Sequence, residues 1–208
     1  MSSKETDLKE KFRVALTSTA KVISDDLNLN QKNKNSNKTG EIISVEIDNL
    51  TNPSDFIRLR AETDTNALKK KYSNTLIHKK NLPRNNSSRS LYNIAEKIRY
   101  EVLGGKMLKG IEKNLKENYS QILSSKSREQ LRTKDDVPVT EAFELYMLKN
   151  FHKIQLNAHN TKMLKFWEQD FEKSIEKYKD FLLNNIEDQN IYAAKFSEIL
   201  EEMDIFQT

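Results

Sequence analysis

Three histidines are the first candidates for metal binding or general-base chemistry in this 208-residue chain. His152 and His159 stand seven positions apart, so on one helix they would lie about 10 Å apart, too far to share an ion. The turn-like stretch Asn157–Asn160 separates them in any case. His78 stands alone in a segment read as a loop, and no H-x-x-x-H or E-x-x-H cluster occurs. There is no cysteine, which removes disulfides, thiol nucleophiles and cysteine zinc sites. No nucleophile–base pair of hydrolase type stands out.

The charged residues between Arg60 and Glu101 are more suggestive. Glu62 and Asp64 are two apart and diverge on a helix. Glu96 and Arg99 are an i,i+3 pair on a helix face. As an ordinary surface pair they would contribute about 0.3 kcal/mol. Alternatively Arg60, Glu96, Arg99 and Glu101 form a buried or interfacial network against the Leu59–Leu68 helix. Spacing alone does not choose between the two. Asn114 could cap a helix or bond across to a neighbour.

Glycine is scarce, with four in the chain, and three of them fall in GGKMLKG, at Gly104, Gly105 and Gly110. A glycine inside a helix costs about 1 kcal/mol relative to alanine. A phosphate loop would need Lys and Ser/Thr after Gly110, where Ile111 and Glu112 stand. A membrane dimer motif would need an apolar surround. A helix break, with a new helix from Lys106, stays open. Close packing against another helix is favoured, because the apolar period Leu91, Ile94, Ile98, Val102, Gly105, Leu108, Ile111, Leu115 runs through in phase.

The elements that must position these residues follow from periodicity. A first helix is expected over roughly 4–24. Alternating Ile43, Val45 and Ile47, with Leu27–Asn30 as partner, predict a small antiparallel β-ribbon. Asn52, Pro53 and Asp55 start a helix that runs to about Ser73. The longest helix is expected from Ser87 or Ser88 to about Tyr119. Pro138 opens another, carrying Phe143, Leu145, Met147, Leu148 and Phe151. Leu164, Trp167, Phe171, Ile175, Tyr178 and Leu182 make a coiled-coil-like seam, with Trp167 read as core. Tyr192, Phe196, Ile199 and Met203 mark a last short helix. The expected fold is mainly α, a helical bundle with a small ribbon near the N-terminus. It is read as one domain over 1–208, divided into helix and ribbon (1–50), long-helix core (51–135) and C-terminal helices (136–208).

Charge is uneven. Asn160–Thr208 holds six Lys and eleven acids, whereas the preceding 159 residues hold 29 bases and 20 acids. The basic body makes a non-enzymatic nucleic-acid-binding module the alternative reading. The interleaving of lysines with acids describes solvated helix faces instead and argues against it. No run of eighteen apolar residues and no secretory h-region is present, so a cytoplasmic protein without membrane association is expected.

Glu96–Leu115 reads EKIRYEVLGGKMLKGIEKNL. Its skeleton, E-x-x-R-x-E-x-x-G, five residues, then G-x-x-x-N-L, resembles the signature of the CobT-type subunit of the aerobic, ATP-dependent cobaltochelatase. LRAETDTNAL at Leu59–Leu68, followed by His78, Pro83 and Arg89, resembles a second block of that family. FRVALTSTAKVIS and EDQNIYAAKFSEILEEMDI resemble its ends. Ala61 stands where the family usually has Gly, and Leu108 where it has Met.

The resemblance implies an accessory subunit that works with an AAA+ ATPase subunit and a large subunit carrying the chelation site. The reaction is ATP-dependent insertion of Co2+ into hydrogenobyrinic acid a,c-diamide during cobalamin synthesis. ATP, Mg2+ and cobalt are used by that complex, and no cofactor is expected on this chain. The family's von Willebrand-type domain, with its D-x-S-x-S motif, has no counterpart here, so the chain is expected to correspond to the family's N-terminal region. No catalytic or metal residue is implied. Arg60, Glu62, Asp64, Glu96, Arg99, Glu101, Gly104, Gly105, Gly110 and Asn114 are the structural or interface candidates.

Overall fold

A computed structural model describes residues 3–25, 52–125 and 131–203. Among these the fold is mainly helical and contains no strand. The expected β-ribbon lies outside the described residues.

Helix α1 (Ser3–Ser24) packs along α2 (Pro53–Tyr72). The start of α2 is the one its sequence announces. The Asn52 side chain accepts from the Asp55 N–H at 3.1 Å, the Asp55 carboxylate accepts from the Asn52 N–H at 3.3 Å, and Pro53 occupies the first turn. Phe12 meets Phe56 at a ring separation of 5.1 Å, beside buried Leu16 and Leu59. The segment expected to be a loop around His78 is instead a short helix, α3 (Thr75–Lys80), capped by the Asn74 side chain. An Asn cap can stabilise a single turn that apolar periodicity is too short to reveal.

The expected long helix is two helices. α4 (Asn86–Met107) ends at Leu108, whose backbone is extended (φ −141°, ψ 119°), and α5 (Lys109–Ser125) folds back along it. The Leu108 carbonyl accepts the first α5 bonds, from Ile111 and Glu112. Leu108, assigned to the buried face by its period, is 45% exposed. The apolar period survives the break because each half buries its stripe in a core, Leu91 and Ile98 of α4 in one and Ile111 and Leu115 of α5 beside Leu68 of α2 in another.

The three glycines therefore differ. A Cβ on Gly104 would sit 2.4–2.9 Å from the side-chain carbons of fully buried Leu68. A Cβ on Gly105 would meet Glu112 of the returning helix at 3.4 Å. Around Gly110 a Cβ would meet nothing within 4 Å. The expected close approach holds at Gly104 alone, since at Gly105 a Cβ would make ordinary contact and at Gly110 it would meet nothing within 4 Å.

Beyond a 3-10 turn (Lys134–Asp136), α6 (Val139–Asn150) crosses the opposite face of α4. It closes with Lys153 in the left-handed region (φ 59°) and an Ile154 N–H bond to the Leu148 carbonyl at 3.0 Å. The expected seam from Leu164 to Leu182 is not continuous. It divides into α7 (Ala158–Lys165), α8 (Glu168–Ile175), a 3-10 turn (Glu176–Tyr178) and α9 (Lys179–Asn184). Short segments let Leu164, Phe171, Ile175 and Leu182 all reach one core. At the first break half-buried Trp167 donates its indole N–H to the Val137 carbonyl at 2.9 Å and stacks on Phe171. The Lys134 ammonium lies 4.0 Å from its ring centroid. α10 (Gln189–Glu201) then packs on α4 through Tyr192, Phe196 and Ile199.

Helix α4 is thus shared by two cores. Leu91, Ala95, Ile98 and Leu103 belong with α6 and α10, whereas Tyr100 packs with Leu68, Ile111 and Leu115. Substitution at the glycines should separate their roles. Gly104→Ala is expected to destabilise the fold by about 1–3 kcal/mol through overpacking on Leu68. Gly110→Ala is expected to stabilise it by about 0.5 kcal/mol. Urea unfolding of the two variants checks both signs.

Candidate functional site

Glu96 and Arg99, one helical turn apart on α4, are among the most deeply buried charges of the described chain, with Arg99 1% exposed. Their pairing is bidentate: Arg99 Nε and Nη2 reach the two Glu96 oxygens at 2.9 and 3.0 Å. The guanidinium also donates from Nη1 to the Ile186 carbonyl at 3.1 Å and from Nη2 to the Tyr72 carbonyl. It therefore ties together the end of α2, the middle of α4 and the segment before α10. Gln189, at the start of α10, donates to Glu96 at 2.9 Å and accepts from the Asn74 N–H at 2.6 Å. The Ser73 hydroxyl donates to the same Glu96 oxygen at 2.9 Å. Burial of this pair is tolerable because charge, lone pairs and donors are matched together.

Glu101, two residues on, faces α2 and α5. It accepts from the Thr65 hydroxyl at 2.8 Å and from the Tyr119 hydroxyl at 2.6 Å. The Tyr119 phenol is pushed well above its usual range, by burial first and then by the adjacent Glu101 carboxylate. His152 approaches from beyond α6, its Nε2 3.9 Å from Glu101 and without a hydrogen-bond partner. Burial pushes the His152 pKa down, against the opposing pull of Glu101. A cleft of about 310 Å3 opens beside Glu101 and Tyr119, between α2, α4, α5 and α6. Lys97, paired with Glu144 at 3.4 Å, and exposed Glu62 also line it.

Asp64 of α2 is buried and accepts from Asn114 of α5 at 2.8 Å, so Asn114 bonds across helices. Its other oxygen has no partner. Burial raises the Asp64 pKa, offset by the Asn114 hydrogen bond and by Arg60.

The candidates thus divide. Glu96, Arg99 and Glu101 are buried, as the network reading expected, but Arg60 is not among them. It is exposed, with its guanidinium over Phe12 at 5.6 Å. Glu62 is an exposed partner of Arg58 at 2.9 Å. Sequence reasoning did not single out Thr65, Ser73, Tyr119, His152 or Gln189 within these groups. Gln189 stands in the D-Q-x-x-Y-A stretch, which was a signal. The others carry none, since their partners come from distant elements. Among the described residues no group of three or more His, Asp or Glu side chains is placed to hold a metal ion. No described helix is long and apolar enough to cross a membrane. What the arrangement does chemically is immobilise four helices around one ion pair and present a buried carboxylate to a cleft.

Two outcomes follow. Arg99→Ala leaves Glu96 buried without its cation and should cost about 3–5 kcal/mol in urea unfolding. The Arg99→Ala, Glu96→Gln double variant should recover part of that loss. For His152 the folded pKa lies below the unfolded one, so the unfolded chain binds protons more readily. Its stabilising contribution is whole above the ordinary histidine range and is lost as pH falls toward the lowered folded value. Between pH 7.5 and 5.5 the native chain should lose more thermal stability than His152→Gln.

No curated protein and no solved structure matches the chain. The family model described as "Cobalamin biosynthesis protein CobT" matches residues 6–208. That span takes in α2 with Asp64, α4 with its Glu96–Arg99 pair, α5, and the α10 start at Gln189. The chain belongs to the CobT family, and with it has a role in cobalamin biosynthesis.

Proposed function

We propose that the chain is an accessory subunit of the ATP-dependent cobaltochelatase and acts by docking. It joins an AAA+ ATPase subunit to the large subunit that carries the chelation site. Cobalt and hydrogenobyrinic acid a,c-diamide are then substrates of the large subunit, and Mg–ATP is bound by the ATPase. The observation that carries this reading is the family match over residues 6–208.

The buried charge pair supports a mechanical role. A subunit that relays motion from an ATPase must not yield inside itself. Arg99 holds α2, α4 and the segment before α10 through charge-assisted bonds in a dry interior, where such bonds are short and directional. Gly104, by admitting Leu68, removes the slack between α2 and α4. The rigid body so formed presents Arg60, Glu62 and the outer face of α2 for contact.

The test is reconstitution from three purified subunits, followed by the visible absorption of the cobalt corrin. With this chain present, cobalt insertion should require ATP. Without it, insertion should stop. Full-rate insertion by the other two subunits alone would overturn the reading, as would failure of this chain to co-elute with either.

A further inference from the structure

The cleft beside Glu101 does not end at Tyr119. A second cleft, of about 530 Å3, lies between the first turn of α2 and the last turns of α5, and Asn118 and Ile122 line both. Together they make a groove along α2 and α5, with Ile122 41% exposed on its wall.

The charges lining the groove are not balanced. Arg58 is engaged with Glu62 and Lys97 with Glu144. The Asp55 carboxylate is committed to capping α2. That leaves Glu101, which is buried and holds two hydroxyl donors but, among the described residues, no Lys or Arg within ion-pair distance. A carboxylate offers about four acceptor positions, so capacity remains. Among the described residues His152 is the basic side chain within 4 Å of the Glu101 carboxylate, and burial pushes the pKa of that ring down; Lys97, which also lines the cleft, is paired with Glu144. The cleft walls include Leu115, Leu123, Leu145 and Leu148. Apolar walls leading to a carboxylate suit a long aliphatic stem with a cationic head.

We propose that this groove docks a basic–apolar segment of a protein partner, with one Lys or Arg side chain entering the Glu101 cleft and an apolar residue resting on Ile122. This rests on the docking function proposed above and adds the surface and the chemistry of what it receives. A negatively biased lining disfavours a nucleic-acid backbone. The Glu101 carboxylate supplies specificity, because a cation left outside the groove would forgo a desolvated partner.

The experiment uses the full chain and measures its affinity for the ATPase subunit and for the large subunit separately. Glu101→Gln keeps the side-chain shape and removes the charge. Asn118→Arg places a cation of the chain's own in the groove and fills it. Both should weaken binding to one of the two subunits by tenfold or more. Glu172→Lys, on the exposed side of α8, should bind as the native chain does. Should Glu101→Gln fail to fold, Asn118→Arg decides, since residue 118 is not buried. Native affinity of Asn118→Arg for both subunits would overturn the groove and leave the docking function standing. Equal weakening by Glu172→Lys would also overturn it. A native chain that binds neither subunit would remove both proposals together.

Discussion

An arginine side chain stays protonated in a protein interior, so burying Arg99 obliges the fold to bring it a counter-charge and acceptors. Glu96 supplies the charge from the same helix, and the carbonyls of Tyr72 and Ile186 supply the rest. Both carbonyls lie at the margins of helices, where backbone acceptors are left over from helical bonding. The consequence is geometric. α2 must stop where Tyr72 can turn its oxygen toward α4, and α10 must begin where Ile186 can do the same. Gln189 and Ser73 add two further donors to the Glu96 oxygen that already accepts from Arg99 Nη2. The placement of α2, α3 and α10 on α4 therefore depends on one ion pair.

Much of this architecture was legible before any coordinates. Asn52, Pro53 and Asp55 declare a helix start through chemistry confined to four residues, and the structure begins α2 there. Apolar spacing located the buried faces of α6 and α10 and, as far as the break, of α4, whereas on α1 Leu8 of the apolar period is 63% exposed. The Glu96–Arg99 spacing identified the pair but could not tell inside from outside, because i,i+3 geometry is the same on both. Burial was decided by Tyr72, Ile186 and Gln189, which are remote in the chain. Leu108 was misplaced for a related reason. One extended residue redirects the helix, yet the apolar residues on both sides of it are buried, Leu91 and Ile98 in one core and Ile111 and Leu115 in another, so the period runs on through the break. Short helices such as α3 and α9 carry too few residues for any period to register.

The family-like residues of α2, α4 and α5 do not share one task. Asp64, Glu96, Arg99 and Gly104 face inward and specify how helices meet. Glu62 and Glu101 line a cleft, and Gly110 touches nothing within 4 Å of where its side chain would be. A single signature thus mixes scaffold and surface, and reading every member as packing, or every member as contact, would misassign half of it. Neighbouring positions on one helix are divided by a rotation of about 100° per residue.

Trp167 is the only tryptophan in the chain. Its indole is held by the Val137 carbonyl, stacked on Phe171 and covered by Lys134, all on the α6–α8 side of the molecule. Intrinsic fluorescence is consequently a local gauge. It registers loosening of the α6–α8 packing and is blind to α1 peeling from α2, for which circular dichroism or a second fluorophore is needed.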